Sequence, residues 1–294
     1  MNPLADCVVR PRSRARSMPR HHASHVAEAA VSCLLAEVTT WPKPGLVSHI
    51  DSGSHADMNA QTLRDSAHAL QPFFAELADA GAANAGMLEL RRIGLRAERE
   101  MLIATGGVNT HRGAIFGLGL LCAAAGLRAA HRGYKQETLG EIVARHWGME
   151  ILTGTRPAVS HGAAAERRYG AGGARVEAAL GFPGIYHVAL PALRLAYHAR
   201  AKESDAARVH ACFALIAKLE DTNLLYRGGL EGLRYAQQEA QAFLASGSIW
   251  QPGWRHTAQA IHSRFVARNL SPGGAADLLA MSLFVDAWDA RSTR

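Results

Sequence analysis

Apolar residues recur at the helical period along nearly the whole chain, and that pattern leaves few fold classes open. Val26, Ala29, Ala30, Cys33, Leu34 and Val38 line one stripe up to a break at Pro42. Leu63, Ala67, Leu70, Phe73, Phe74 and Leu77 line another that ends near Gly81. The same spacing predicts helices over residues 87–104, 111–130, 139–152, 186–201, 206–219, 230–245, 254–269 and 272–288. No alternating apolar run is bounded by turn signals, so strands have little place in the fold. With 48% apolar but only 6% aromatic residues, the core must be mostly Ala, Leu, Val and Ile, which suits close-packed helices better than a sandwich. The breaks are Gly, Pro and Ser clusters of ordinary loop length, none of them an interdomain linker. The expectation is an all-α fold, a single globular domain of about ten helices over residues 21–291. A short basic tail, residues 1–20, precedes it and is expected to be disordered.

Charge narrows the partners. Of the formal net charge of +7, the tail supplies +4, from five arginines against Asp6, and the rest of the chain carries only +3. That near-neutral body argues against nucleic acid as a partner. The longest apolar run, Ala114 to Leu127, is shorter than the roughly 20 residues a bilayer-spanning helix needs. No apolar stretch follows the arginines in the manner of a signal peptide. Cys7, Cys33, Cys122 and Cys212 are widely spaced and form no C-x-x-C pair, so neither a disulfide framework nor a thiolate zinc site is indicated. A cytoplasmic location without membrane contact is expected.

Polar chemistry gathers in five breaks between the helices. In "WPKPGLVSHIDSGSHADM", Pro42 and Pro44 stiffen the chain on either side of Lys43, which suits anion binding. His49, Asp51, His55 and Asp57 follow as groups that bind metals or move protons, with Asp57 alternatively the N-cap of the next helix. In "TGGVNTHRGAIFGLG", Gly106 and Gly107 end a helix, and Asn109 or Thr110 can cap the next. His111 and Arg112 then put cationic groups at the positive end of a helix dipole, where an intervening phosphate would relieve them. In "LEDTNLLYRGG", Glu220 and Asp221 read as carboxylates closing a helix, again at the wrong end of its dipole, and Asn223 and Arg227 add donors suited to phosphate. "GARVEAALGFPG" places Arg175 and Glu177 between glycine turns. "NLSPGGAADLLA" starts a helix with Ser271 as cap and Pro272 at its first position, and Gly273 and Asp277 lie just inside. Together these segments suit a polyphosphate nucleotide with Mg²⁺. Neither a P-loop nor a dinucleotide-binding glycine fingerprint is present.

"KPGLVSHIDSGSHADM", "GVNTHRGAIFGLGLL", "GARVEAALGFPG", "EDTNLLYRGG" and "SPGGAADLLA", in this order and spacing, resemble the triphosphoribosyl-dephospho-CoA synthases over roughly residues 25–290. The first motif, S-H-x-D-S-G-S-H-x-D-M, looks more like the branch that serves malonate decarboxylase than the one that serves citrate lyase. In the citrate lyase branch this serine pattern is missing and lysine usually stands where Arg112 does.

The resemblance implies an all-helical enzyme that transfers the 5-triphosphoribosyl group of ATP to the 2′-hydroxyl of 3′-dephospho-CoA and releases adenine. The product is the precursor of the prosthetic group on an acyl carrier subunit. On this reading Lys43, Arg112, Arg175 and Arg227 meet the triphosphate, with Asn109, Asn223 and Gly273 as further nucleotide contacts. Asp57, Asp221 and Asp277 are nominated for Mg²⁺, His55, Glu177 or Glu220 for the general base, and His111 or Asp51 for the acid. A homodimer is possible. The competing readings are a metal-dependent helical hydrolase of nucleotides or ADP-ribose, and a nucleic-acid-binding helical protein that uses the tail.

Overall fold

The computed structural model describes residues 20–154, 165, 167–199 and 204–289. The basic tail, apart from Arg20, lies outside the described residues, as do residues 200 and 201 at the end of one predicted helix. Among the described residues eleven α-helices follow one another: α1 (Arg20–Thr39), α2 (Ala60–Ala82), α3 (Met87–Ala104), α4 (Arg112–Ala130), α5 (Leu139–Thr153), α6 (Gly173–Ala179), α7 (Leu190–Ala199), α8 (Ser204–Lys218), α9 (Thr222–Ala245), α10 (Trp254–Ala267) and α11 (Gly273–Asp289). No strand occurs among the described residues, so the chain is all-α.

Two helices are buried all round, and they organise the rest. α4 presents buried Ala, Leu, Ile, Gly and Cys on every face, and α11 buries Leu278, Leu279, Met281, Phe284, Val285 and Trp288. α4 is long and apolar enough to cross a membrane, but 78% of that stretch is buried inside the protein, as expected of a core helix. α1, α2, α3 and α5 pack around α4, while α7 and α9 pack on α8. α11 touches α1, α4 and α8 and so joins the two groups into one core.

Glycine allows the closest of these crossings. A Cβ on Gly81 of α2 would collide with the Ala123 carbonyl oxygen of α4, and one on Gly126 of α4 would collide with the Ala78 carbonyl oxygen of α2. The two helices therefore meet backbone to backbone at a reciprocal pair of glycines.

The ends of the elements follow local chemistry. α2 is capped by Asn59, whose side chain accepts from the Gln61 and Thr62 amides at 2.9 and 3.0 Å, and not by Asp57. α5 begins with a reciprocal capping box between Thr138 and Glu141. Gly106 and Gly107 end α3 with positive φ, as their sequence suggests. Before α7 the chain makes a π-helical turn, Ile185–Ala189, where Pro191 has no N–H to donate back along the helix. α6 was not foreseen, and α9 starts at Thr222 rather than residue 230. At Gly229 α9 kinks with φ 62° and ψ −162°, a conformation essentially reserved for glycine.

Candidate active site

Three helix starts converge where the sequence places its polar segments, and the protein's own carboxylates meet them. Asp221 is not at a helix C-terminus; α8 stops at Lys218, and Asp221 is the N-cap of α9. Its Oδ1 accepts from the Asn223 and Leu224 amides at 2.8 and 3.3 Å, and its Oδ2 accepts from the Ala275 amide of α11 at 3.0 Å. One buried carboxylate thus caps two helices, and its charge sits at the favourable end of both dipoles. The cap of α11 comes from Asp221 and not from Ser271, whose hydroxyl lies 2.9 Å from His55 Nε2.

Asp277, one turn into α11, takes the Ala114 amide at the start of α4. Gly113 is needed there, because a Cβ would overlap the Asp277 carboxylate. The α4 start is therefore met by Asp277 instead of being capped by Asn109 or Thr110. Asn109 is exposed, and the Thr110 hydroxyl donates to Ser66 Oγ at 2.7 Å.

Lys43 does not stand on a solvated strut. It is fully buried, and its ammonium donates to the Glu37 carbonyl at 2.7 Å and to the Glu37 carboxylate at the end of α1. Glu37, Asp221 and Asp277 form an inner node with this single cation. Burial, and then the charges of Glu37 and Asp221, push Asp277 well above the usual carboxylate range, although part of the residue still reaches solvent. Burial also raises Asp221, against the lowering effect of the amides that cap onto it. His111 is buried beside them with Nδ1 2.7 Å from Ser66 Oγ, and burial followed by the Lys43 charge pushes it down to about 4. It is neutral at neutral pH.

An outer rim is open to solvent. Arg227 donates to the Ser54 carbonyl at 2.9 Å and to Asn269 Oδ1 at 2.7 Å, with its other terminal nitrogen 3.3 Å from His55 Nδ1. His55 Nδ1 also lies 3.4 Å from the exposed carboxylate of Asp57. Burial and then Arg227 lower His55, which leaves a neutral ring with a lone pair to accept a proton. Asn223 faces Gly273 so closely that a Cβ on the glycine would sit 2.6 Å from its amide nitrogen.

The remaining nominated residues are dispersed. Arg112 pairs with Glu98 of α3 at 3.0 Å, which offsets the dipole penalty without a phosphate. Arg175 donates to the Ile151, Leu152 and Gly154 carbonyls at the end of α5, a favourable place for a cation. Glu220 is exposed. Glu177 accepts from the Gly184 amide at 2.6 Å and is raised by burial. Gly184 packs near Leu219 and Leu278. Asp51 lies 3.1 Å from His262 Nε2.

Glu37, Ser66 and His262 escaped the sequence reading. Glu37 and Ser66 interrupt apolar stripes with a polar residue at a core position, a signal that was available. His262 lies in an ordinary amphipathic helix and gave none.

Among the described residues no group of three or more His, Cys, Asp or Glu side chains is arranged to hold a metal ion. Asp221 has its oxygens taken by amides, but the excess of carboxylates around Asp277 is an environment a divalent cation would relieve. This donor set does not form a closed protein cage, and an ion here would have to draw most of its oxygen ligands from phosphates.

The family model for ATP:dephospho-CoA triphosphoribosyl transferase matches residues 23–294. Proteins named "Probable 2-(5''-triphosphoribosyl)-3'-dephosphocoenzyme-A synthase" are similar over nearly their full length. The one from Azotobacter vinelandii is 41% identical over 269 residues, covering 90% of this chain and 91% of that protein. One from Pseudomonas aeruginosa is 41% identical, covering 89% of each, and one from Pseudomonas syringae is 40% identical, covering 91% and 92%. No solved structure matches. With a family model spanning all the described helices but the first turn of α1, and relatives aligned over 90% of the chain, the chain belongs to the ATP:dephospho-CoA triphosphoribosyl transferases.

Proposed function

We propose that this enzyme makes 2′-(5″-triphosphoribosyl)-3′-dephospho-CoA from ATP and 3′-dephospho-CoA in the cytoplasm, for the acyl carrier subunit of a malonate decarboxylase. Family membership supports the transferase chemistry and disfavours the hydrolase reading. The malonate assignment rests on the Ser48–Met58 motif, whose Ser48, Asp51, Ser54 and His55 all serve to shape or tether the loop.

The observation that carries the reading is the convergence of the α4, α9 and α11 starts through Asp221 and Asp277, with this loop tied beside them by Arg227 and Ser271. Asp221 and Asp277 occupy the amides of those starts, so a phosphate chain at the rim would be met by Arg227 and Asn223. The carboxylate-rich node beneath suits the positive charge that develops on ribose as adenine departs. His55, neutral and bordered by Asp57, suits removal of the proton from the attacking 2′-hydroxyl. Mg²⁺ carried in by the triphosphate would neutralise its charge, with Asp57 as the rim carboxylate exposed to meet it. Exposed Leu88, Met149 and Leu180, on α3, on α5 and just after α6, suit a second copy of the chain, and light scattering would detect such a dimer.

The test is mass analysis of the product. ATP with 3′-dephospho-CoA should give free adenine and an acceptor heavier by one triphosphoribosyl group, and ATP alone should give no adenine. Breakdown of ATP without acceptor would favour the hydrolase instead.

A further inference from the structure

His262 of α10 belongs to none of the polar segments, yet it touches both limbs of the loop that carries Lys43, Asp51, His55 and Asp57. Its Nδ1 lies 2.7 Å from the Lys43 carbonyl oxygen and its Nε2 lies 3.1 Å from Asp51 Oδ1, while only 6% of the side chain is exposed. A carbonyl only accepts, so Nδ1 donates to Lys43, and Nε2 faces the Asp51 carboxylate at hydrogen-bonding distance. The loop's own bonds bring the same points together. The Gly53 amide donates to Asp51 Oδ1 at 2.8 Å, Ser48 to the Asp51 carbonyl at 2.9 Å, and Ser54 to the Gly45 carbonyl at 3.0 Å. Asp51 is therefore the knot of the loop, and His262 ties that knot to the helical layer.

We infer that His262 is a positioning residue for the transfer reaction: it fixes the 43–57 loop on α10 so that His55 and Asp57 face Arg227 and the start of α11. This also gives Asp51 a role, as the loop's anchor to His262. The kinetic consequence rests on the transferase reading above, whereas the effect on the loop does not.

Two isosteric replacements separate the contacts. The amide nitrogen of His262→Asn falls near the position of Nδ1 and can keep the Lys43 carbonyl. That of His262→Gln falls near Nε2 and can keep Asp51. Amide hydrogen exchange over residues 43–57 is measured on the full chain without substrate, and adenine release is measured with ATP and 3′-dephospho-CoA. In His262→Asn the loop amides should exchange at least about tenfold faster while α2 and α4 stay protected, and kcat should fall by about tenfold or more. His262→Gln should retain more of both, and adding Asp51→Asn to His262→Asn should accelerate loop exchange no further. Unchanged loop exchange in His262→Asn would overturn the tether. A loosened loop with wild-type kcat would leave His262 a merely structural residue and overturn its positioning role. If the wild-type chain releases no adenine, the transferase reading fails with the kinetic arm, and the exchange result alone decides whether His262 holds the loop.

Discussion

Lys43 shows how far a residue can be read from its neighbours. Pro42 and Pro44 do restrict the chain around it, but restriction does not set the direction of the side chain. That depends on where the last turn of α1 places Glu37, and the result is a buried ion pair in place of a waiting anion site. Lys43→Met would strand the Glu37 carboxylate without a partner, at a cost of about 3–5 kcal/mol by urea unfolding. Adding Glu37→Gln should recover much of that loss, and two additive losses would show that the pair is not coupled. Asp221 is the parallel case. Its carboxylate was legible as unusual, but its sign relative to a dipole was not, because Lys218 ends one helix only a few residues before Thr222 begins the next.

At the scale of elements the helical period marks the long helices, but not the short α6 or the first two turns of α9. The predicted limits of α3 and α4 agree with the observed ones to within a residue, because long apolar stripes between Gly or Pro breaks leave little ambiguity. What the period cannot reveal is which glycines are contacts. Gly126 meets the α2 backbone, while an added Cβ on Gly94 of α3 would have nothing within 4 Å. Gly126→Ala should therefore force α2 and α4 apart and cost about 2–3 kcal/mol or more. Gly94→Ala should stabilise by about 0.5–1 kcal/mol through helix propensity and a less flexible unfolded chain. Thermal melting of the two variants checks this, and shifts in the same direction would contradict the packing described.

Across the whole molecule, burial has set many ionisable groups against their ordinary behaviour. His22, His55, His111, His146 and His210 are all lowered, each with burial as the largest cause. For His111 the folded value of about 4 lies below the ordinary 6.5, so the unfolded chain binds the extra proton first. Its contribution is full above pH 6.5 and is lost as pH falls toward about 4, a difference of about 3 kcal/mol. Asp221, Asp277 and Glu177 are raised and work the other way, opposing folding once they must ionise and easing as pH falls. Comparing wild type with His111→Gln isolates the histidine: between pH 7.5 and 5 the wild type should lose more unfolding free energy, and equal losses would refute the assignment. The sequence by itself determined the fold class, the long helices and the segments that carry polar chemistry, because periodicity and breaker residues act over a few neighbouring positions. Only the tertiary structure decided which of those groups meet. Asp221 reaches α11 across 54 residues and His262 reaches Lys43 across 219, and such contacts depend on how the helices pack and not on any local pattern.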